Sequence, residues 1–152
     1  MRLTVHTDYA IRALIYLSVN QDRLVTIHDI SEQYKISKNH MMKVAQELVQ
    51  HNFVISERGR NGGLRLSRPP SEICLAEIVN KMESDFYLVT CLCPSNKSCK
   101  LTNNCGAESI LNEALAAFMA VLRKYSLMDA VKNESLVRAI FDHQPDVQSA
   151  GA

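Results

Sequence analysis

Residues 26–66 read TIHDISEQYKISKNHMMKVAQELVQHNFVISERGRNGGLRL, a stretch in which nearly every boundary is marked. Thr26 followed three residues later by Asp29 is a variant of the capping box that opens a helix. Ile27, Ile30 and Tyr34 fall at helical spacing behind it, so this helix is short and ends near Tyr34. After the turn Tyr34-Lys35-Ile36, Ser37 is the N-cap of a second helix whose Met41, Ala45 and Leu48 form an i, i+4, i+7 stripe. Phe53-Val54-Ile55-Ser56 has strand character, and Leu64-Arg65-Leu66 alternates as a half-buried strand does. Between them, Asn61-Gly62-Gly63 is expected to supply the positive backbone angles of a tight hairpin, leaving a two-stranded wing tipped with Arg58 and Arg60. Two helices about a tight turn, then a hairpin, give a mostly α fold of the winged helix-turn-helix type.

Working outward, Asp8 is expected to cap a preceding helix in which Ala10, Ile11, Ala13, Leu14, Ile15 and Leu17 leave only a narrow polar face; such a helix is buried. Downstream, Pro69-Pro70 stops the wing, and Ser71 is expected to start a short helix carrying Leu75, Ile78, Val79 and Met82. The longest helix is predicted over roughly 107–125 with two apolar stripes. Ile110, Ala114, Ala117 and Val121 form one; Leu111, Leu115, Phe118 and Leu122 form the other. One stripe packs on its own chain and the other needs a second surface, which points to a C-terminal dimerisation helix and a homodimer. Ser126 with Asp129 repeats the capping pattern for a last short helix, and the tail from about Pro145 reads as disordered. The expected division is a winged-helix DNA-binding domain over 1–70, a cluster-binding loop and dimerisation helix over 71–133, and a helical remnant with a disordered tail over 134–152.

The 152 residues carry a net charge of only +1, but it is unevenly spread. Residues 1–70 hold ten basic and six acidic side chains, whereas residues 71–152 hold seven basic and ten acidic. The basic half is suited to a polyanion. No apolar run approaches the roughly 20 residues of a membrane span, and no cleavage-type signal follows the N-terminus, so a cytoplasmic protein is expected. There is no Cys-x-x-Cys, no Gly-rich phosphate loop and no pair of carboxylates framing a cleft, which argues against an enzyme.

On the second helix of the motif, the face opposite Met41, Ala45 and Leu48 carries Lys38, Asn39, His40, Lys43, Gln46 and Gln50. Lys neutralises phosphate or meets guanine, and Asn and Gln pair bidentately with adenine, so this face suits the major groove of double-stranded operator DNA. Arg58, Arg60, Asn61 and Arg65 extend the surface along the wing. A two-fold dimer would read half-sites about 34 Å, or a multiple of that, apart.

Four of the five cysteines, Cys91, Cys93, Cys99 and Cys105, crowd into a polar loop, and Cys74 lies apart on an apolar stretch where a small buried hydrophobe is expected. Zinc ribbons favour closer Cys pairs, disulfides need an oxidising compartment, and iron–sulfur clusters accept widely spaced thiolates. The chemistry leaves a cluster, a zinc ion, a thiol switch or inert cysteines open. If three thiolates bind a cluster, a fourth ligand is missing, and Cys93 is the nearest candidate.

Met1-Arg2-Leu3-Thr4, Thr7-Asp8-Tyr9-Ala10, Arg12-Ala13-Leu14, Ile36-Ser37-Lys38-Asn39-His40, Arg58-Gly59-Arg60-Asn61-Gly62-Gly63, Leu88-Val89-Thr90-Cys91 and the trio Cys91, Cys99, Cys105 together resemble the Rrf-type winged-helix repressors, from residue 1 to about 133. The likeness is strongest to their nitric oxide-sensing branch. It implies a homodimer with one four-iron, four-sulfur (4Fe-4S) cluster per subunit, held by Cys91, Cys99 and Cys105 and by the carboxylate of Asp8 from the partner subunit; His6 lies near enough in sequence to compete. It also implies that nitrosylation of the cluster relieves repression. One departure favours a sister branch that senses iron or cluster supply through a 2Fe-2S cluster, because Cys93-x5-Cys99-x5-Cys105 has that branch's spacing. Against it, the position three after Cys105, where that branch has a His ligand, is Glu108.

Overall fold

In the computed structural model, residues 2–89, 93 and 105–142 are described. Helix α1 (Val5–Val19) leads to α2 (Ile27–Tyr34) and α3 (Lys38–Gln50), then to the antiparallel strands β1 (Val54–Glu57) and β2 (Gly63–Leu66). A 3-10 turn (Pro70–Glu72) precedes α4 (Leu75–Met82), and α5 (Gly106–Leu122) and α6 (Glu134–Asp142) complete the described chain. The mostly helical winged helix-turn-helix expected from residues 26–66 is present.

Local chemistry sets most of these boundaries. The Thr26 hydroxyl accepts the Asp29 N–H at 3.1 Å while the Asp29 carboxylate accepts the Thr26 N–H at 2.9 Å, closing the capping box of α2. Lys35 ends that helix in the left-handed region at φ 53°, and Ser37 caps α3 through the His40 N–H. The strands pair with Val54 opposite Leu66 and Glu57 opposite Gly63. Beyond the hairpin, Val25 and Leu64 exchange backbone hydrogen bonds of 3.0 and 2.7 Å, so the second edge of β2 is tied to the segment entering α2.

The main core joins α1, α2, α3 and the wing through Leu14, Leu17, Val25, Ile30, Met41, Val44, Leu48 and Phe53, and continues into Ile73, Ile78, Met82 and Leu127. Each such Leu, Ile or Phe contributes about 1.5–3 kcal/mol on burial. A smaller cluster of Ala76, Val79 and Met119 receives Leu115, Phe118 and Leu122 from α5. The other stripe of α5 faces outward, with Ile110 66% and Val121 51% exposed. The two-stripe reading holds for Leu115, Phe118 and Leu122, but the buried residue of α5, Met119, lies in neither stripe.

Several boundaries differ from expectation. Thr4, not Asp8, caps α1: its hydroxyl accepts the Thr7 N–H, and the Glu83 carboxylate accepts from the Thr4 N–H at 2.7 Å. Asp8 lies within the first turn and pairs with Arg12. The helix expected from Ser71 divides, because Pro70 opens only a 3-10 turn and α4 starts after Cys74. Cys74 occupies the N-cap position, half-buried beside the smaller cluster. The longest helix ends at Leu122, not near 125.

The Ser126–Asp129 box forms, with the Asp129 carboxylate accepting the Ser126 N–H at 2.7 Å, but it closes turns over 126–130 and no helix. The last described helix starts later, at Glu134, and packs back on α1. Its Phe141 ring meets Tyr16 at 5.0 Å and Tyr34 at 5.8 Å, and Arg138 pairs with Asp22 at 2.6 Å. Burial in this aromatic group pushes the Tyr34 phenol up to about 12. The tail expected to be disordered lies outside the described residues.

Candidate nucleic-acid interface and cysteine loop

Helix α3 is held by burial of Met41, Val44, Ala45 and Leu48, which leaves Lys38, Asn39, His40, Lys43, Gln46 and Gln50 exposed on its outer side. Asn39, Lys43, Gln46 and Gln50 share the side opposite the buried stripe, and Lys38 and His40 flank it. Arg58, Arg60 and Asn61 are exposed at the wing tip. Arg65 is already engaged, with Nε 2.7 Å from a Glu57 carboxylate oxygen across the hairpin, so it offers less unneutralised charge than the tip arginines.

The turn is built differently from the expectation of positive backbone angles at Asn61-Gly62-Gly63. Among the wing residues, the positive φ belongs to Gly59, at 120°. Gly62 and Gly63 are required by close approach: a β-carbon on Gly62 would collide with the Glu57 carbonyl oxygen, and one on Gly63 would lie 2.9 Å from the Val25 carbonyl oxygen. The glycines let the chain double back closely and let β2 reach Val25.

Residue patterns alone missed the bracing of α3 against α1. His6 Nε2 lies 2.6 Å from a Glu47 carboxylate oxygen, and His51 Nε2 stands 3.9 Å from the other. Beside this brace, Val5, His6, Tyr9, His40, Lys43 and Val44 line a cleft of about 280 Å³. Scattered histidines gave no periodic signal; only the fold pairs residues 6 and 47.

Of the candidate ligands, Cys91 and Cys99 lie outside the described residues. Cys105 is half-buried at the N-cap of α5, and Cys93 is half-buried. The Asp8 carboxylate holds Arg12 Nε at 2.9 Å, and both side chains are 46% exposed. Among the described residues no three His, Cys, Asp or Glu side chains converge as a metal site.

The sequence model of the Rrf2 family, described as "Iron-dependent Transcriptional regulator", matches residues 3–133. The chain belongs to the Rrf2 family. Among Rrf2 relatives, it is 43% identical over 141 residues to "HTH-type transcriptional regulator NsrR" of Bacillus licheniformis, a match covering 92% of this chain and 99% of that one. It is 46% identical over 135 residues to the protein of the same name in Bacillus subtilis, covering 88% of this chain and 92% of that one. A solved putative transcriptional regulator from Listeria innocua shares the fold at a TM-score of 0.71 and 18% identity, covering 100% of this chain and 95% of that one. The family model and these relatives are described as transcriptional regulators and not as enzymes. No helix among the described residues is long and apolar enough to cross a membrane.

Proposed function

We propose that this Rrf2 protein is a nitric oxide-sensing repressor that binds operator DNA as a homodimer through α3 and the wing. The observation that carries the reading is one chain holding both an exposed Lys, Asn and Gln face on a braced helix and the Cys91, Cys99, Cys105 loop. Similarity over nearly the full length to proteins named NsrR supports it.

In this reading Lys38, Asn39, His40, Lys43 and Gln46 meet base edges and phosphates in the major groove, while Arg58, Arg60 and Asn61 follow the adjacent backbone. Residues 1–70 form the DNA-reading half. The exposed stripe Ile110, Ala114, Ala117 and Val121 of α5 pairs with its twin in the partner, giving the two-fold symmetry that a pseudo-palindromic site requires.

The donor set fits a 4Fe-4S cluster, one per subunit. Thiolates are the usual protein ligands of such clusters, and Cys105 stands half-buried at the N-terminus of a 17-residue helix. Asp8, solvent-accessible and paired with Arg12, can serve as a carboxylate ligand to a cluster in the other subunit. Cys91, Cys99, Cys105 and Asp8 would hold the cluster, which when bound would supply iron reactive toward nitric oxide. The protein's part is to connect the halves: Asp8 belongs to α1, which packs on α3 and is braced to it by His6–Glu47, so release of Asp8 frees the DNA-reading half from the partner's loop. Repression then ends as a population shift toward dimers whose two α3 helices are out of register with the DNA.

Titrating anaerobically purified protein with nitric oxide, read by absorbance and operator gel shift together, tests this. The expected result is a brown protein that bleaches and releases DNA over the same additions. Colourless protein with one zinc per subunit, or DNA release that follows iron depletion and ignores nitric oxide, would overturn it.

A further inference from the structure

Helix α3 ends at Gln50 and β1 begins at Val54, so residues 51–53 set the angle between the two elements that meet DNA. This joint is tight. Asn52 is left-handed at φ 58°, its carbonyl oxygen accepts the Ser67 hydroxyl, and Phe53 is fully buried. A second side chain from beyond the wing converges on it. Arg68 Nη1 donates to the Asn52 carbonyl at 3.5 Å, and the guanidinium lies 5.4 Å from the Phe53 ring centroid. Its Nε donates to the Glu72 carbonyl at 3.3 Å, and Nη2 meets a Glu77 carboxylate oxygen on α4 at 2.6 Å. Arg68 and Glu77 are 28% and 39% exposed, less than the Arg65–Glu57 pair at 48% and 45%. Glu77 stands on the helix whose Ala76 and Val79 receive α5.

We propose that Arg68 is a positioning residue for DNA binding: it ties the joint between recognition helix and wing to α4, and so links the angle of the DNA-reading elements to the helix on which α5 rests. The planar fork and the ring contact require arginine here, because a lysine ammonium cannot donate to three acceptors spread around one plane while stacking on Phe53. The inference rests on the reading that α3 and the wing bind DNA.

The alternative role for a basic residue near the wing is direct contact with phosphate, and Glu77→Gln separates the two. If Arg68 meets phosphate, removing the competing carboxylate leaves binding unchanged or strengthens it. If Arg68 holds the joint, the loosened link weakens binding, by roughly 3- to 20-fold. The probe is a duplex that the wild-type protein selects from a random-sequence pool, titrated over a salt series with each variant shown folded by circular dichroism at the assay temperature. Glu77→Gln and Arg68→Lys should both weaken binding with the wild-type salt slope intact. Wild-type or tighter binding by Glu77→Gln, or a salt slope lowered by about one counterion in Arg68→Ala, overturns the proposal. A wild-type protein that selects no duplex overturns the DNA-binding reading itself; wild-type binding with unimpaired Glu77→Gln overturns this inference alone.

Discussion

The ring of Phe141, near the end of the last described helix, lies 5.0 Å from the ring of Tyr16 in the first. This contact, with Tyr34 as third member, joins a helix beyond the Rrf2 match, which ends at residue 133, to the helix-turn-helix. Phe141→Ala should lower stability by about 1–3 kcal/mol in urea titrations, since it removes a partly buried aromatic from two ring contacts. Arg138→Ala should cost much less, because its pair with Asp22 is solvent-exposed. Equal losses would show that α6 is held by charge and not by packing.

The capping box of α2 carries a pH signature. Burial raises the Asp29 carboxyl, but bonds from Thr26 and Arg23 outweigh it and hold the group below its ordinary value. A depressed folded pKa contributes stability above the unfolded value, about 3.9, and that contribution disappears as pH falls through the folded value. Asp29→Asn should therefore be less stable than wild type at neutral pH and lose less on acidification, so that the two stability curves converge in acid. Parallel curves from neutrality down to about pH 3 would contradict this.

Arg60 and Arg65 differ in what they offer a phosphate. Arg60→Ala should weaken DNA binding and reduce the salt slope by about one counterion. Arg65→Ala should reduce it by less, since Glu57 already neutralises that guanidinium. Affinities measured across a salt series separate the two.

Within the cysteine loop, Cys99→Ala should abolish the cluster's absorbance and the response to nitric oxide while the protein stays folded. Cys93→Ala should retain both if Cys91 is the first ligand. The opposite pattern for Cys91→Ala and Cys93→Ala would move that ligand to Cys93.

Gly62→Ala would drive a methyl group against the Glu57 carbonyl. A loss of about 1–3 kcal/mol is expected from the forced backbone shift, with weaker DNA binding as the arginine tip is displaced. Chemical denaturation with a parallel binding assay checks both.

Features written in neighbouring residues could be read before the fold was known. Thr26 and Asp29, Ser37, and the alternation at Leu64-Arg65-Leu66 act within a few positions of themselves, and each marks the element it borders. Where a boundary depends on a distant partner, local reading erred. Asp8 has the chemistry of a cap, but Thr4 caps α1 through the Thr7 N–H, and Glu83, far along the chain, adds a bond from the Thr4 N–H. Ser126 and Asp129 make their box, yet no packed helical face follows to turn one closed turn into a helix. The candidate DNA-binding face was legible because solvent exposure follows helical period. The His6–Glu47 brace and the four-sided grip of Arg68 were not, since both join segments that only tertiary packing brings together.

The pair of hydrogen bonds between Val25 and Leu64 has one more effect. By occupying the outer edge of β2 at Leu64 they interrupt the rim that strand would otherwise offer to a foreign chain. They also anchor the wing to the segment entering α2, so reading helix and hairpin form a frame set during folding. In the proposed complex, association with DNA would order side chains at its surface and leave the main chain as it stands, which would lower the conformational entropy lost on binding.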